Sequence, residues 1–179
     1  MAASDLVALP AGARAAVASR VGRVVDESAT LATGIRVAFA CAVFNGGITD
    51  RLLTGALAEL ETRGAALADV TVAWVPGAYE LPLAARALAA AGADAVVALG
   101  AVIRGDTGHY DFVAGECAAG LQRVQLDTGV PVVFGVLTTD TVDQALVRSA
   151  PDDTNKGREA AATAVEMVGV LSTLAKGGA

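Results

Sequence analysis

From residue 35 onward, short apolar runs rich in β-branched residues alternate with longer alanine-rich segments that have helical spacing. Only brief connections separate the two kinds of segment. This alternation is typical of βαβ units, in which helices cover a parallel sheet. The sequence therefore predicts one α/β domain with a mostly parallel, four-stranded sheet.

The pattern predicts strands at 35–44, 70–75, 95–103 and 131–138. Their nearly continuous apolar character suits strands that are buried on both faces. Helices are predicted at 49–62, 80–91, 111–127, 142–148 and 156–174, and we expect Asp140 to cap the N-terminus of the fourth. Gly64, Gly92 and Gly129 follow predicted helix ends, where a left-handed backbone conformation favours glycine.

Residues 1–34 stand outside this pattern. They contain Arg14, Arg20 and Arg23 together with three acidic residues, and they lack the apolar segment of a secretory signal. We expect a flexible extension, or an arm that adds a strand to a neighbouring subunit's sheet. An arginine-rich transit peptide is the alternative interpretation. Residues 35–179 then form the folded domain.

Hydrophobic residues make up 54% of the chain, and the mean hydropathy is +0.55. The apolar runs are too short to span a bilayer, which needs roughly 20 residues. The surplus apolar surface therefore indicates contacts between subunits. The formal net charge of -6 argues against nucleic acid or an anionic membrane as a partner, because both attract a basic surface.

Cys41 and Cys117 lie in a predicted strand and a predicted helix, without the spacing of a disulfide framework. We interpret them as buried free thiols of a protein in the reducing cytoplasm. His109 is the single histidine of the chain, so we expect no metal site of the usual zinc type. Any acid/base chemistry near neutral pH would depend on this one imidazole.

Polar and aromatic residues follow the predicted strands at the points where the strands end. Phe44 and Asn45 follow the first strand, Glu80 follows the second, and His109 follows the third after the loop GDTG at 105–108. In open parallel sheets, ligands bind at this edge, and such a loop before a helix offers amides to an anion. Taken singly, these residues also fit ordinary roles in a core, a helix start or a turn.

Taken together, the motifs resemble one family in order and spacing. The motifs are FN at 44–45, VPGAYELP at 75–82, ALGAVIRGDTGHYD at 98–111, PVVFGVLT at 131–138 and NKG at 155–157. They are similar to those of the 6,7-dimethyl-8-ribityllumazine synthases from about residue 35 to residue 171. Only the N-terminal stretch lies outside the resemblance.

The resemblance implies a flavodoxin-like three-layer α/β/α sandwich and a transferase of riboflavin biosynthesis. The implied reaction is its penultimate step, the condensation of 5-amino-6-(ribitylamino)uracil with 3,4-dihydroxy-2-butanone 4-phosphate to 6,7-dimethyl-8-ribityllumazine, with release of phosphate and water. The family uses no cofactor or metal. Its active sites lie between subunits of a homopentamer.

The resemblance also assigns roles to individual residues. Phe44 would stack on the pyrimidine, and four residues would hold the ribityl chain and ring edge: Asn45, Ala78, Tyr79 and Glu80. The backbone of Val102 and Ile103 would line the site of the second substrate. The phosphate would be bound by Gly105, Asp106, Thr107 and Arg148, and His109 would shuttle protons. Phe134 and Lys156 would reach the pyrimidine from the adjacent subunit.

One loop departs from the family pattern. Between Arg148 and Lys156, capsid-forming members carry a Gly-Thr-Lys-x-Gly turn, whereas this chain has SAPDDTN at 149–155. Proline and two acidic residues change this bend, so we favour a free pentamer or a small assembly of pentamers over a sixty-subunit shell. For Arg104 we favour a salt bridge that fixes its loop over a substrate contact.

Three other functions stay open at this point. The chain would be a flavin or lumazine sink if it had lost turnover, or a cage whose main task is to enclose another enzyme. It would be a generic nucleotide binder if bound flavin were found, although no Gly-x-Gly-x-x-Gly turn follows the first strand.

Overall fold

The computed structural model describes residues 12–25 and 30–176. The strands are β1 Val37–Ala42, β2 Thr71–Val75, β3 Ala95–Ile103 and β4 Val132–Thr139. The helices in these ranges are α1 Ala13–Ala18, α2 Gly46–Thr62, α3 Leu81–Ala90, α4 His109–Thr128, α5 Val142–Arg148 and α6 Lys156–Lys176, with single 3-10 turns at Leu67–Asp69 and Ala78–Glu80.

Within the described part of the chain, all strand pairs are parallel, and the four strands lie in the order β2-β1-β3-β4. This order is that of flavodoxin-like sheets, in which the strand order reverses between β1 and β3. Helices α2 and α6 cover one face, and α3 and α4 cover the other. The predicted α/β fold class is therefore confirmed.

The central strands are the most buried. All six residues of β1 are buried, whereas the edge strand β2 has only exposed or half-buried residues. Each face has its own apolar core: Phe39 and Leu99 pack with α2 and α6, and Leu81 and Leu121 pack on the opposite face. Burying strands on both faces explains why their sequences show no polar alternation.

Small residues allow α2 and α6 to cross closely. A Cβ atom on Gly157 would lie within 1.9 Å of the carbonyl oxygen of Leu52, so no side chain fits there. Just before it, buried Asn155 accepts hydrogen bonds at Oδ1 from the amides of Gly157 and Arg158 and so caps the start of α6. This crossing fixes the position of Lys156.

The predicted glycines after helix C-termini are confirmed, whereas the one predicted N-cap is wrong. Gly64, Gly92 and Gly129 have φ values of 86°, 96° and 69°, which confirms the left-handed positions after helices. The N-cap of α5 is Thr141, whose Oγ1 accepts from the amide of Gln144, so the prediction of Asp140 was wrong. The carboxylate of Asp140 is instead bound to Arg104.

Parts of the predicted N-terminal extension, residues 1–11 and 26–29, lie outside the described residues, and a strand shared with a neighbouring sheet stays a prediction. Ala32 is buried in the core, and its amide donates to the carbonyl of Arg63. Cys41 and Cys117 are buried and free, as expected. Among the helices of residues 12–25 and 30–176, none has the length and apolarity needed to cross a membrane.

Candidate active site

A cleft of ≈ 470 Å³ opens at the carboxyl edge of the sheet, beside the point where the strand order reverses. Ligands of open α/β sheets bind at such points. The structure brings most of the predicted site residues into this cleft: Phe44, Ala78, Tyr79, Glu80, Val102, Ile103, Gly105, Thr107 and His109. Five further residues line the cleft although the sequence analysis assigned them no role: Pro76, Gly77, Ala101, Tyr110 and Val113.

Two exposed aromatic rings form part of the cleft. Phe44 is 72% exposed and Tyr79 is 61% exposed, although rings of this size are usually packed away from water. Exposed rings offer flat apolar surfaces to a planar ligand. The sequence alone left Phe44 open between a core role and a ligand role, and its exposure favours the ligand role.

Asn45 holds the turn that presents Phe44. Its φ of 58° is left-handed, which asparagine tolerates better than most residues, and its Nδ2 donates to the carbonyl of Ala101 at 2.9 Å. This bond joins the loop after β1 to the end of β3. Asn45 is half-buried and does not line the cleft.

The loop between β3 and α4 presents backbone amides to solvent. The amides of Gly105, Asp106 and Thr107 donate to no described residue, and all three residues are exposed. They precede the N-terminus of α4, a helix of 20 residues whose dipole adds positive potential there. Asp106 belongs to this loop, although its side chain is not part of the cleft lining.

His109 is the first residue of α4 and lies in the cleft beside this loop. Its amide donates to Oγ1 of Thr107 at 3.4 Å, whereas its imidazole bonds to no described residue. Because the imidazole is exposed and uncommitted, it is available to exchange protons with a bound molecule. The carboxylate of Glu80 is likewise exposed and bonds to no described residue.

Arg104 makes the salt bridge that the sequence favoured. Its Nε lies 3.1 Å from Oδ1 of Asp140, its Nη1 lies 3.3 Å from Oδ1 of Asp111, and its guanidinium carbon lies 4.0 Å from the centre of the Tyr110 ring. The hydrogen bond to Asp140 is the main cause that raises the pKa of Arg104 above its ordinary value. Its charge is therefore engaged by the protein.

The remaining predicted residues occupy a second cleft, of ≈ 340 Å³, between the edge strand β4 and helix α6. Phe134, Arg148 and Lys156 all line it, together with Glu159 and Thr163. Lys156 pairs with Glu159, and Nη1 of Arg148 donates to the carbonyl of Gln144 at 3.1 Å. Arg148 has no acidic partner among the described residues. One chain thus presents the predicted site residues in two separate groups.

The thiols are unsuited to chemistry at neutral pH. Burial raises the pKa of Cys41 to about 12 and that of Cys117 to about 11, so both stay protonated. Within residues 12–25 and 30–176, no group of three or more histidine, cysteine, aspartate or glutamate side chains is placed to hold a metal ion.

Comparison with known proteins identifies the family. A family model described as 6,7-dimethyl-8-ribityllumazine synthase matches residues 34–172. A 6,7-dimethyl-8-ribityllumazine synthase of Edwardsiella ictaluri is 57% identical over 141 residues, which cover 78% of this chain and 90% of that protein. One of Pectobacterium atrosepticum is 51% identical over 155 residues, which cover 84% of this chain and 98% of that protein. The chain therefore belongs to the 6,7-dimethyl-8-ribityllumazine synthase family.

Proposed function

We propose that this chain condenses 5-amino-6-(ribitylamino)uracil with 3,4-dihydroxy-2-butanone 4-phosphate to give 6,7-dimethyl-8-ribityllumazine, phosphate and water. The observation that carries this proposal is the cleft itself, in which exposed aromatic rings lie together with an imidazole and loop amides that bond to no described residue. The rings can stack on a planar amine, the amides can bind the phosphate of the ketone, and the imidazole can move the protons of the condensation.

The pyrimidine substrate binds through the aromatic wall of the cleft. Phe44 stacks on the pyrimidine ring, because stacking removes the exposed apolar face of Phe44 from water. The polar ribityl chain lies along the 3-10 turn at Ala78–Glu80, where Tyr79 and Glu80 supply hydrogen-bonding groups. Asn45 supports this wall from behind through its bond to Ala101.

The phosphate of the second substrate binds at the loop that precedes α4. The amides of Gly105, Asp106 and Thr107 donate to its oxygens, and the helix N-terminus stabilises its charge. The backbone of Val102 and Ile103 lines the cleft beside this loop. The phosphate is thereby held next to His109.

His109 serves the proton transfers that each step requires. The substrate amine attacks the ketone, and loss of water gives an imine. Elimination then breaks the carbon–oxygen bond to phosphate, and ring closure releases a second water. A nearby imidazole assists such transfers by about 10²- to 10⁴-fold. Holding both substrates in position supplies much of the remaining acceleration, so a variant without His109 remains slowly active.

The second cleft completes this site on a neighbouring copy of the chain. Phe134 and Lys156 reach the pyrimidine from that copy, and Arg148 pairs with the phosphate, because a guanidinium suits a dianion. Their placement in a separate cleft supports sharing between subunits. The exposed apolar side chains of Leu83, Phe112 and Leu126 support extensive contacts between copies, and we propose a homopentamer.

The assembly that we favour is a free pentamer or a small group of pentamers. Pro151 and two aspartates occupy the bend before α6. The Thr154 hydroxyl and amide donate to Asp152 and lower its pKa, so this bend stays negatively charged at neutral pH. We also propose that the enzyme works in the cytoplasm, where its buried thiols Cys41 and Cys117 stay reduced.

The test is a spectroscopic assay that follows lumazine formation from the two substrates. The proposal predicts rapid product formation by the wild-type protein and clearly slower formation by His109→Ala and Arg148→Ala. A wild-type rate equal to that of the uncatalysed mixture would refute it. If lumazine or riboflavin still bound in that case, the chain would be a binding protein.

A further inference from the structure

We infer that Arg104 is a positioning residue that fixes both catalytic groups of the chain, the loop before His109 and the helix that carries Arg148. The inference rests on the proposed roles of those two residues. Beyond the salt bridge that fixes the loop, Arg104 is linked through Asp140 and Gln144 to Arg148, which lines the second cleft.

The first set of contacts reaches the start of α4. Arg104 binds the carboxylate of Asp111 at 3.3 Å and lies over the ring of Tyr110 at 4.0 Å. Both residues directly follow His109, in the first turn of the helix. The anion-binding loop at 105–107 is thus held between Arg104, which precedes it, and Tyr110 and Asp111, which follow it. These contacts restrict the positions that the loop amides adopt.

The second set of contacts reaches α5. Arg104 binds Asp140 at 3.1 Å, and the amide of Asp140 donates to Oε1 of Gln144 at 2.9 Å. The carbonyl of the same Gln144 accepts a hydrogen bond from Arg148 at 3.1 Å. A series of contacts therefore runs from Asp111 on the His109 helix through Arg104, Asp140 and Gln144 to the guanidinium of Arg148, and it passes through the main chain at Asp140 and Gln144.

Arg104 is unsuited to binding the phosphate directly. Its Nε and Nη1 already donate to two carboxylates, whose negative charges neutralise that of the guanidinium. The backbone amide of Arg104 also donates to the carbonyl of Thr139 at 2.9 Å, which extends the pairing of β3 with β4. The residue is thus anchored at both its main chain and its side chain, as a positioning role requires.

The experiment compares Arg104→Met, Asp140→Asn and the double variant, with kcat/KM and the inhibition constant of inorganic phosphate as readouts. We expect each single change to lower kcat/KM about tenfold, because a small misplacement of reacting groups is costly. The kcat/KM of the double variant should be no lower than that of Arg104→Met alone, since both changes break the same contact between Arg104 and Asp140. Phosphate inhibition should weaken in all three.

Two outcomes would overturn the inference. If Arg104 bound phosphate directly, Asp140→Asn would release its charge and strengthen phosphate inhibition. If Arg104 served stability alone, the melting temperature would fall while the kinetic constants of the folded protein stayed unchanged. Arg104→Lys keeps the charge but not the two-sided geometry, and it should restore less than full activity.

Arg36→Met provides a matched control. Arg36 also forms an exposed pair with an aspartate, at 3.1 Å from Asp94. It precedes β1, however, and so lies at the amino ends of the strands, away from the cleft. Its loss should leave kcat/KM and phosphate inhibition unchanged. If the wild-type protein showed no synthase activity, the proposed function would fail, and calorimetric binding of inorganic phosphate to the same variants would still decide the role of Arg104.

Discussion

The side-chain amide of Asn45 donates to the carbonyl oxygen of Ala101 across 2.9 Å and connects the end of β3 to the loop after β1. The bond lies where the strand order of the sheet reverses. It holds a residue with a left-handed φ of 58° directly after the exposed ring of Phe44. One polar contact thus shapes the aromatic wall of the cleft.

We expect Asn45→Ala to destabilise the protein more than Asn45→Gly. Both variants lose a hydrogen bond worth about 0.5–1.5 kcal/mol. Alanine also resists the left-handed conformation, at a cost of roughly 1–2 kcal/mol, whereas glycine adopts it freely. Urea unfolding of the two variants measures the difference. Equal unfolding free energies would show that the backbone conformation contributes nothing.

Gly157→Ala should disrupt the crossing of α2 and α6, because its Cβ would lie 1.9 Å from the oxygen of Leu52. We expect a loss of about 1–3 kcal/mol in unfolding free energy, or an insoluble protein. Gly115→Ala on α4 is the matched control, since nothing lies within 4 Å of its Cβ. That variant should be as stable as the wild type or more so; a loss equal to that of Gly157→Ala would contradict the steric account.

The protein should lose stability as the pH rises above about 8.5, where thiols of an unfolded chain ionise. Burial raises the pKa of Cys41 to about 12 and of Cys117 to about 11, so the folded chain retains protons that the unfolded chain releases. Each thiol then lowers the unfolding free energy by up to about 1.4 kcal/mol per pH unit.

Chemical denaturation between about pH 8 and pH 10.5 measures this decline. Cys117→Ala should show a shallower decline than the wild type, because one of the two linked protons is absent. An identical slope in both proteins would mean that the buried thiol does not contribute.

Phe44→Leu should weaken binding of the pyrimidine substrate without unfolding the protein. The ring is 72% exposed, so its loss should change the unfolding free energy by less than about 0.5 kcal/mol. Loss of stacking should raise KM roughly tenfold, whereas Phe44→Trp keeps a flat ring and should retain affinity. Steady-state kinetics with the pyrimidine varied gives both values, and an unchanged KM for Phe44→Leu would exclude stacking.

Much of the fold could be predicted because its determinants are local. Continuous apolar runs marked β1 and β3, and glycines after α2, α3 and α4 marked the left-handed positions. The α5 cap was harder, because Asp140 and Thr141 are both good N-cap residues. Only the fold shows that Arg104 engages Asp140 and leaves the cap to Thr141.

Most of the residues that share the candidate cleft could be named from the sequence, but the contacts between them could not. Motif order brought Phe44 and His109 into one candidate site, and the fold places both in one cleft. Tyr110 was not predicted to line the cleft, because its place there and its contact with Arg104 are visible only in the fold. The path from Arg104 to Arg148 depends on a side-chain contact between residues 36 positions apart, which no local pattern indicates.

The shared site is tested most directly by the activity of mixed assemblies of His109→Ala and Arg148→Ala chains, each of which is clearly slower than the wild type alone. If one subunit supplies His109 and its neighbour supplies Arg148, random mixing restores about a quarter of the sites to the intact pair. Co-refolded variants should therefore gain about a quarter of the wild-type rate above the residual rates of the separate variants. Activity no higher than that of the separate variants would show that both groups act within one chain and would contradict the shared site.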